Sequence, residues 1–388
     1  MASCSASKNP STSRPWYAKG GMLLNSIGMG FNIAVPVIFL ASFLSWDDRK
    51  QFMGLLLLCY TSAVVTGRTT IYCILVVPTF MSSLVLVQST LGDDNSSAMK
   101  ILLLLSLSVA LAICKVNICM SVCLHRYAAH AAFKCGPTTQ LFLAVLGCCA
   151  NQGGPIWWAS QHVGHHKHCD VPGDPHSPLL VGTEKAFGFF EIHDQVWEEF
   201  APKHLERFAI RVIDTWAFVP VSLELFLGYC FLGRPGLFLA YTSGWMCQTI
   251  TLWFNIANHP VPPVSTSSND KGNTTSKSAA VPAFYANCNA VNTGGHQVNP
   301  WNDRCLTGGG VYLPFVLLDA LVPLFGLFVQ EREHEHHHEN PRLARRSSKD
   351  VAYWGFVYPL EQMGLIWKVV VPEAEEKGSR SKLATKSN

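Results

Sequence analysis

The feature that most limits how this chain can fold is a series of long segments almost without charged side chains. A helix needs about 20 mostly apolar residues to cross the hydrocarbon core of a bilayer. Charged residues make up only 14% of the chain and hydrophobic residues 49%, with a mean hydropathy of +0.20. We therefore expect an all-α integral membrane protein. The apolar runs are 21–46, 51–67, 71–91, 101–123, 216–232 and 235–254.

Two pairs of these runs predict helical hairpins, because the turn sequences GDDN and GRP divide them. The hairpins are 71–91 with 101–123, and 216–232 with 235–254. Both ends of a hairpin lie on one side of a membrane, so the segments between and after the hairpins can share a compartment. We expect about four core transmembrane helices, an extra N-terminal apolar helix at 21–46, and a histidine-rich helical cap outside the membrane.

The rest of the chain divides by composition. Residues 260–299 are rich in Pro, Ser, Thr and Asn without periodicity, which predicts a flexible insertion. The predicted parts are a flexible N-terminal tail at 1–20, transmembrane helices at 21–124, a histidine-rich region at 125–369 that includes the second hairpin, and a disordered tail at 370–388.

Charge and cysteine content argue against two classes of protein, nucleic-acid-binding proteins and small disulfide-rich secreted domains. The net charge is only +3 and the 29 Lys and Arg residues are scattered, so no nucleic-acid partner is indicated. Several of the 14 cysteines lie inside apolar runs, where cysteine acts as a small hydrophobic residue. We expect most of them to be reduced.

The 15 histidines are clustered, and none precedes residue 125. Two triplets have the spacing i, i+3, i+4, which places all three imidazoles on one face of a helix. The first pair is spaced i, i+5 and does not share one α-helical face, so we expect it to straddle a helix end. The clusters are His125 and His130; His162, His165 and His166; His259; and His334, His337 and His338.

Nine histidines are too many for one tetrahedral zinc, which takes three or four protein ligands, so two metals fit better. Imidazole suits zinc, copper, iron and nickel alike, but a site beside lipid suits iron that activates O₂. Two other interpretations are open. A single His259 is typical of an interior histidine, and residues 331–339 alone are typical of a solvated histidine-rich tract. The repeat of the triplet on both sides of a hairpin favours the metal site.

Five segments occur in an order that resembles the membrane fatty acyl desaturases of the stearoyl Δ9 type. The segment GGHQVNPW around His296 lacks a double histidine and is not taken as the third box. The resembling segments are HRYAAH (125–130), QGGPIWWASQHVGHHKHCDVPGDPHSP (152–178), NIANH (255–259), HEHHHENPRLAR (334–345), and YWGFVYPLEQMGLIWKV (353–369), which is similar to the closing helix of that family.

The resemblance implies two Fe²⁺ ions per chain. Glu335 and His336 stand where the family has two asparagines, which changes the hydrogen bonds that orient metal-bound imidazoles. One iron would be held by His125, His130, His166 and His338, with Asn255 acting through a water. The other would be held by His162, His165, His259, His334 and His337. The remaining histidines are expected to be bystanders: His168, His176, His193, His204, His296 and His336.

The resemblance also implies the reaction, in which a double bond, at Δ9, is introduced into a saturated acyl-CoA or lipid-linked acyl chain with O₂ and two electrons. Cytochrome b5 with its reductase would supply electrons in the endoplasmic reticulum, and ferredoxin in a plastid. Trp157 and Trp158 are candidates for the wall of a substrate tunnel, or for interfacial anchors. The alternatives are a fatty acyl hydroxylase on the same scaffold, a diverged member of low activity, and a histidine-rich membrane metal carrier.

Overall fold

The computed structural model describes four continuous parts of the chain and several single residues; for 97 and 255–257 only the main chain is described. The described residues are 77–90, 97–169, 200–257 and 340–372, with 38, 50, 53, 54, 57, 58, 61, 174, 177, 186, 337 and 338. Predictions for 1–20, most of 21–46, most of 51–67, 260–299, 373–388, His259 and His334 lie outside them.

Long helices dominate the first described part. Helix α1 is Val77–Thr90 and helix α2 is Ser97–Lys115. Helix α2 continues directly into a π-helix at Val116–Ala129. Together they form the apolar helix Ala98–Ala129, whose mean hydropathy reaches 2.3. This helix carries both the predicted apolar run 101–123 and the first histidine, His125. The apolar segment therefore continues directly into the first histidine cluster.

Three shorter helices pack around the π-helix, two of them directly on it and the third on those two. They are α3 at Pro137–Cys148, α4 at Pro155–His168 and α5 at Phe208–Thr215. Helices α3 and α4 contact the π-helix, and α5 packs on both of them. Proline occupies the first position of α3 and of α4, where its missing N–H would have no helical partner anyway. The buried side of this group forms the main hydrophobic core.

Helix α6, Phe218–Ala257, reverses direction at Gly233, which has φ 63° and ψ −145°. Lys115 Nζ lies 2.9 Å from Glu224 Oε2 and 3.3 Å from the Ala240 carbonyl oxygen. In a straight helix, residues 224 and 240 would be about 24 Å apart at 1.5 Å per residue. The two arms therefore lie side by side, as predicted from the GRP turn, and Lys115 faces a polar interior.

The C-terminal part differs from the predicted closing helix at 353–369. A π-helical turn at Tyr353–Val357 leads into α7 at Tyr358–Gln362, where the helix ends. Gly364 follows with φ 69°, a left-handed conformation that suits glycine. Strand β2, Ile366–Trp367, then pairs antiparallel with strand β1, Lys134–Cys135. The prediction of one helix to 369 was wrong, because the glycine turn redirects the chain into this strand pair.

Among the described residues, two helical stretches are long and apolar enough by length and composition to cross a membrane, Ala98–Ala129 and Phe218–Phe254, and the second comprises both arms of α6. Only 28% of the most apolar window of each is buried inside the protein. Many large apolar side chains on them are exposed, such as Leu102, Leu103 and Phe231. An exposed apolar surface of this extent is typical of contact with lipid or with another apolar surface. Whether each arm of α6 spans a bilayer separately stays a prediction.

The close contact between the two arms of α6 gives a test of the reversal at Gly233. A Cβ added to Gly236 would overlap the Gly228 carbonyl oxygen. We expect Gly236→Ala to lower the free energy of unfolding by about 1–3 kcal/mol, because backbone must move to admit the methyl group. Melting temperatures of the protein purified in detergent would measure this.

Gly355→Ala is the matched control, since a Cβ there meets nothing within 4 Å. Its melting temperature should equal or slightly exceed that of the wild type. Equal melting temperatures for the Gly236 and Gly355 variants would contradict the side-by-side packing of the arms.

Candidate metal centre

The π-helix brings the first histidine pair to one side of the helix. The His130 N–H donates to the His125 carbonyl oxygen at 3.2 Å, which is the i+5 bond of a π-helix. Residues i and i+5 are therefore neighbours along the helix, and the two rings lie with centroids 4.9 Å apart. The helix ends at Ala129. The expectation that the pair straddles a helix end is confirmed, but the wide helix was not predicted.

Helix α4 presents the second triplet, and its start is held by the half-buried carboxylate of Asp214. Asp214 Oδ1 accepts hydrogen bonds from the N–H groups of Ile156 at 2.7 Å and Trp157 at 2.9 Å. These N–H groups lie in the first turn of a helix, where no carbonyl of the helix can reach them. Gly154 lies so close to Asp214 that a Cβ there would overlap it. The sequence GGP is thus needed for this contact.

Five imidazole Nε2 atoms from three segments of the chain converge at one buried point. Their separations are 2.9 Å for His125 to His337, 2.9 Å for His337 to His166, 3.0 Å for His166 to His162 and 3.0 Å for His162 to His130. The ligand atoms of all five lie within 4.8 Å of one another. The site joins the π-helix, α4 and the described residues of the third cluster.

These contacts cannot all be hydrogen bonds. A neutral Nε2 offers either one N–H or one lone pair, so it can take part in only one hydrogen bond with another Nε2. His166, His162 and His337 each contact two other Nε2 atoms. At most two of the four contacts can be hydrogen bonds at once. A cation that accepts all five lone pairs would satisfy every nitrogen.

The spacing also fits a metal. Ligand nitrogens about 2.1 Å from one ion and at right angles to each other are about 3 Å apart, as these are. The residues present therefore fit a bound cation. An all-imidazole donor set suits zinc, copper, iron or nickel and does not by itself select iron.

A second group of ligand atoms lies next to the first. It consists of His165, Cys169 and His338, all buried. The rings of His338 and His166 stack with centroids 4.1 Å apart, so the groups are adjacent. Cys169 is disulfide-bonded and does not offer a free thiolate. The other described cysteines are free, which agrees with the expectation of mostly reduced cysteines.

Asp174 orients one histidine of the second group. Its Oδ2 lies 2.8 Å from His165 Nδ1, and neither side chain is exposed. A carboxylate that accepts the Nδ1–H of a histidine fixes the tautomer, so that Nε2 is left with a lone pair for a metal. Sequence reasoning missed Asp174 and Asp214. The only available signal was acidic residues in segments otherwise rich in His, Pro and aromatic residues.

Burial keeps the central imidazoles neutral, as metal binding requires. Desolvation lowers the pKa of His166 well below its ordinary value, and neighbouring histidines, led by His338, lower it further. Desolvation likewise lowers the pKa of His337, followed by the positive charge of Arg346. The Arg346 Nη2 lies 3.5 Å from His125 Nε2. Protonation of His166 and His337 is thus disfavoured.

The tryptophans next to the second triplet are buried and do not face lipid. Trp158 stacks on His162 with ring centroids 4.9 Å apart, and its Nε1–H donates to Gln152 Oε1 at 3.0 Å. Trp157 is also buried. Trp158 thus lies against the histidine cluster, and Trp157 lies in the main hydrophobic core. A role in the wall of a substrate tunnel stays a prediction.

The other predicted site residues have different outcomes. His168 and His204 lie outside both groups of ligand atoms. The main chain of Asn255 lies near the end of α6, and its side chain, like His259 and His334, is outside the described residues. The nitrogens group differently from the expected partition: His162 and His337 lie with His125, His130 and His166, and His338 lies with His165. The partition between two irons stays a prediction.

Removal of the Asp174 carboxylate should weaken metal binding. We expect Asp174→Ala to lower metal affinity about 10- to 100-fold, because His165 loses the partner that orients it. Metal content per chain, measured against increasing concentrations of a chelator, reports the affinity. His168→Ala, on the same helix but outside the groups, should bind metal like the wild type, and equal affinity for both variants would contradict the role of Asp174.

Asp214 predicts a pH dependence of stability. Burial raises its pKa from 3.8 to about 6 despite the two N–H donors and Arg211. A carboxyl group with a raised pKa stabilises the fold below about pH 4, and this contribution is lost as pH rises through 6. A rise of about two in the pKa corresponds to roughly 3 kcal/mol in the free energy of unfolding. The amide of Asp214→Asn still accepts from the helix without this loss.

We therefore expect the difference in melting temperature between Asp214→Asn and the wild type to be larger, in favour of the variant, at pH 7.5 than at pH 5.0. Glu206→Gln, at an exposed position, is the control. Its melting temperature should differ from that of the wild type by the same amount at both pH values. A difference between Asp214→Asn and wild type that does not change with pH would rule out a buried carboxylate of raised pKa.

No protein-family model matches the chain. Short segments are similar to curated proteins. One is 54% identical over 59 residues, 15% of this chain and 18% of the relative, to hex-5-enoyl-(acyl-carrier protein) acetylenase of Moorena producens. Another is 46% identical over 55 residues, 14% of this chain and 18% of the relative, to the acyl-CoA C20 Delta5-desaturase of Anemone leveillei.

A longer segment is 29% identical over 133 residues to the sn-1 stearoyl-lipid 9-desaturase of Anabaena variabilis, and covers 34% of this chain and 46% of that relative. The chain thus spans less than half the length of the curated relatives it matches. These homologues are fatty acid desaturases of acyl-CoA and acyl-lipid types, similar only over short segments, and the Δ9 type is not singled out among them.

Proposed function

We propose that the chain is a membrane-embedded fatty acyl desaturase that uses O₂ and two electrons at a histidine-ligated di-iron centre. The observation that carries the proposal is the convergence of five Nε2 atoms from three segments in a buried space beside two long apolar helices. Similarity to fatty acid desaturases supports the same reaction class. The buried imidazoles of His165 and His338 beside the first group support a second metal.

Each described residue has a defined task in this proposal. The neutral imidazoles hold the metal, and Asp174 orients His165. Iron bound there would supply reductive activation of O₂ and removal of two hydrogens from adjacent methylenes. Burial of His125 and His165 keeps bulk water away from the reacting chain. The protein must hold the chain in one position, since neighbouring methylenes differ little in reactivity.

The substrate class and double-bond position belong to the proposal as well. An acyl-CoA or lipid-linked acyl chain is the substrate, with desaturation at Δ9. The relatives are named for desaturation at positions 5, 7 and 9, so position is the part of the proposal that product analysis must decide. Cytochrome b5 with its reductase would donate electrons in the endoplasmic reticulum, with ferredoxin in a plastid as the alternative.

Expression in a desaturase-deficient yeast tests the reaction. We expect a new monounsaturated acyl chain, detected by mass spectrometry of the extracted lipids. Single His125→Ala and His337→Ala variants should reduce the product to background, because each removes a central nitrogen, whereas His168→Ala should retain it. A hydroxylated chain without a new double bond would support the hydroxylase and contradict the proposal.

Metal analysis separates the enzyme from a metal carrier. The purified protein, expressed with ample iron, should contain about two iron ions per chain, as the resemblance to the desaturases implies and as His165 and His338 beside the first group allow. Stoichiometric zinc without iron, together with no change in lipid composition, would favour the carrier.

A further inference from the structure

One buried ion pair joins the first histidine segment to the segment that follows the third cluster. Arg126 Nη1 lies 2.8 Å from Asp350 Oδ2, and Arg126 Nη2 lies 3.1 Å from Asp350 Oδ1. Neither side chain has any exposed surface. Arg126 directly follows His125 in the π-helix, and Asp350 lies 12 residues after His338. The pair therefore connects two ligand-bearing segments that are distant in sequence.

Further hydrogen bonds extend the same junction. The Arg126 guanidinium also donates to the Ala344 carbonyl oxygen at 2.5 Å. Asp350 accepts from the N–H of Arg346 at 2.9 Å and from the N–H of Tyr353 at 3.0 Å. A single carboxylate thus holds a guanidinium and two main-chain groups. The C-terminal segment is fixed at both the loop after the histidines and the start of the next helix.

A main-chain contact fixes the other end of this junction. Strand β1 pairs with β2, the Val370 N–H donates to the Ala132 carbonyl oxygen at 3.0 Å, and the Ala344 N–H donates to the Val370 carbonyl oxygen at 2.8 Å. These bonds hold the two segments together without any buried charge. The need to hold the two segments together therefore does not by itself explain why a buried ion pair is present between Arg126 and Asp350.

Stability alone does not account for the pair either. Two charges lose their hydration when they are buried, and replacement of such a pair by neutral side chains of similar volume is often neutral or stabilising. What the pair adds is geometry: two parallel N–H···O contacts fix distance and orientation together. That geometry lies one residue from His125, whose Nε2 is 2.9 Å from His337 Nε2.

We propose that Arg126 and Asp350 are positioning residues that set the register of His125 against His337 and His338, so that the metal ligands meet at bonding distance. The inference rests on the proposed function only in that these histidines bind metal. The hydrogen bonds described above join Arg126 and Asp350 to each other and to main-chain groups. Their effect on the metal is transmitted through the two segments that they join.

The test uses the full-length protein and the rate at which bound iron is lost to a chelator. The neutral pair Arg126→Met/Asp350→Asn removes both charges together and leaves an oxygen to accept from the Tyr353 N–H. We expect the metal-free form of this variant to melt within a few degrees of the wild type. Its iron should be released about 10- to 100-fold faster, the range found when groups that orient ligands are removed.

A second variant and a matched control complete the design. Arg126→Lys keeps the charge but lacks the two parallel contacts, so its iron release should be intermediate. The control is Lys115→Met/Glu224→Gln, which neutralises a partly buried ion pair whose Lys115 lies ten residues before His125 along the same helix. Its iron release should match that of the wild type.

Iron release at the wild-type rate from the neutral-pair variant would overturn the proposal. So would faster release of the same size from the control, or parallel loss of folding and metal in both Arg126 variants, because either result would indicate a general effect on stability. A wild-type protein that binds iron tightly but makes no unsaturated product would contradict the proposed function and leave this test intact.

Discussion

Imidazole nitrogens can crowd together in a dry interior only if something accepts their lone pairs, and this requirement governs the rest of the structure. Five Nε2 atoms at contacts of 2.9–3.0 Å come from a π-helix, from α4 and from the third cluster. No single element can supply them. Packing of the π-helix on α4 and the pairing of β1 with β2 bring these segments together.

Precision at this centre comes from polar groups inside the protein, and of these Asp174, Asp350 and Arg126 have no exposed side-chain surface. Asp214 fixes the start of α4, Asp174 fixes one imidazole, and Asp350 with Arg126 joins the outer segments. In a medium of low polarity each hydrogen bond is strong and each missing partner is costly. A few carboxylates therefore determine geometry that apolar packing, which is not directional, would leave loose.

Sequence patterns predicted the elements but not how they are joined. Apolar runs and turn residues identified α2 and both arms of α6, and the spacing of His162, His165 and His166 placed them on one helix. The strand pair was missed because two-residue strands have no periodicity. Asp174 and Asp350 were missed because a lone acidic residue in a loop resembles a solvated one. Their partners are set by tertiary structure, which local patterns do not encode.

The π-helix at Val116–Ala129 has a broader consequence for how histidine motifs are interpreted. An extra residue in each turn makes neighbours of positions five apart, so the H-x₄-H spacing of His125 and His130 measures the width of the helix that carries it. The i, i+3, i+4 triplet in α4 reports a helix of ordinary width by the same rule. The number of residues between two ligands is therefore a local gauge of backbone geometry as well as a signature of metal binding.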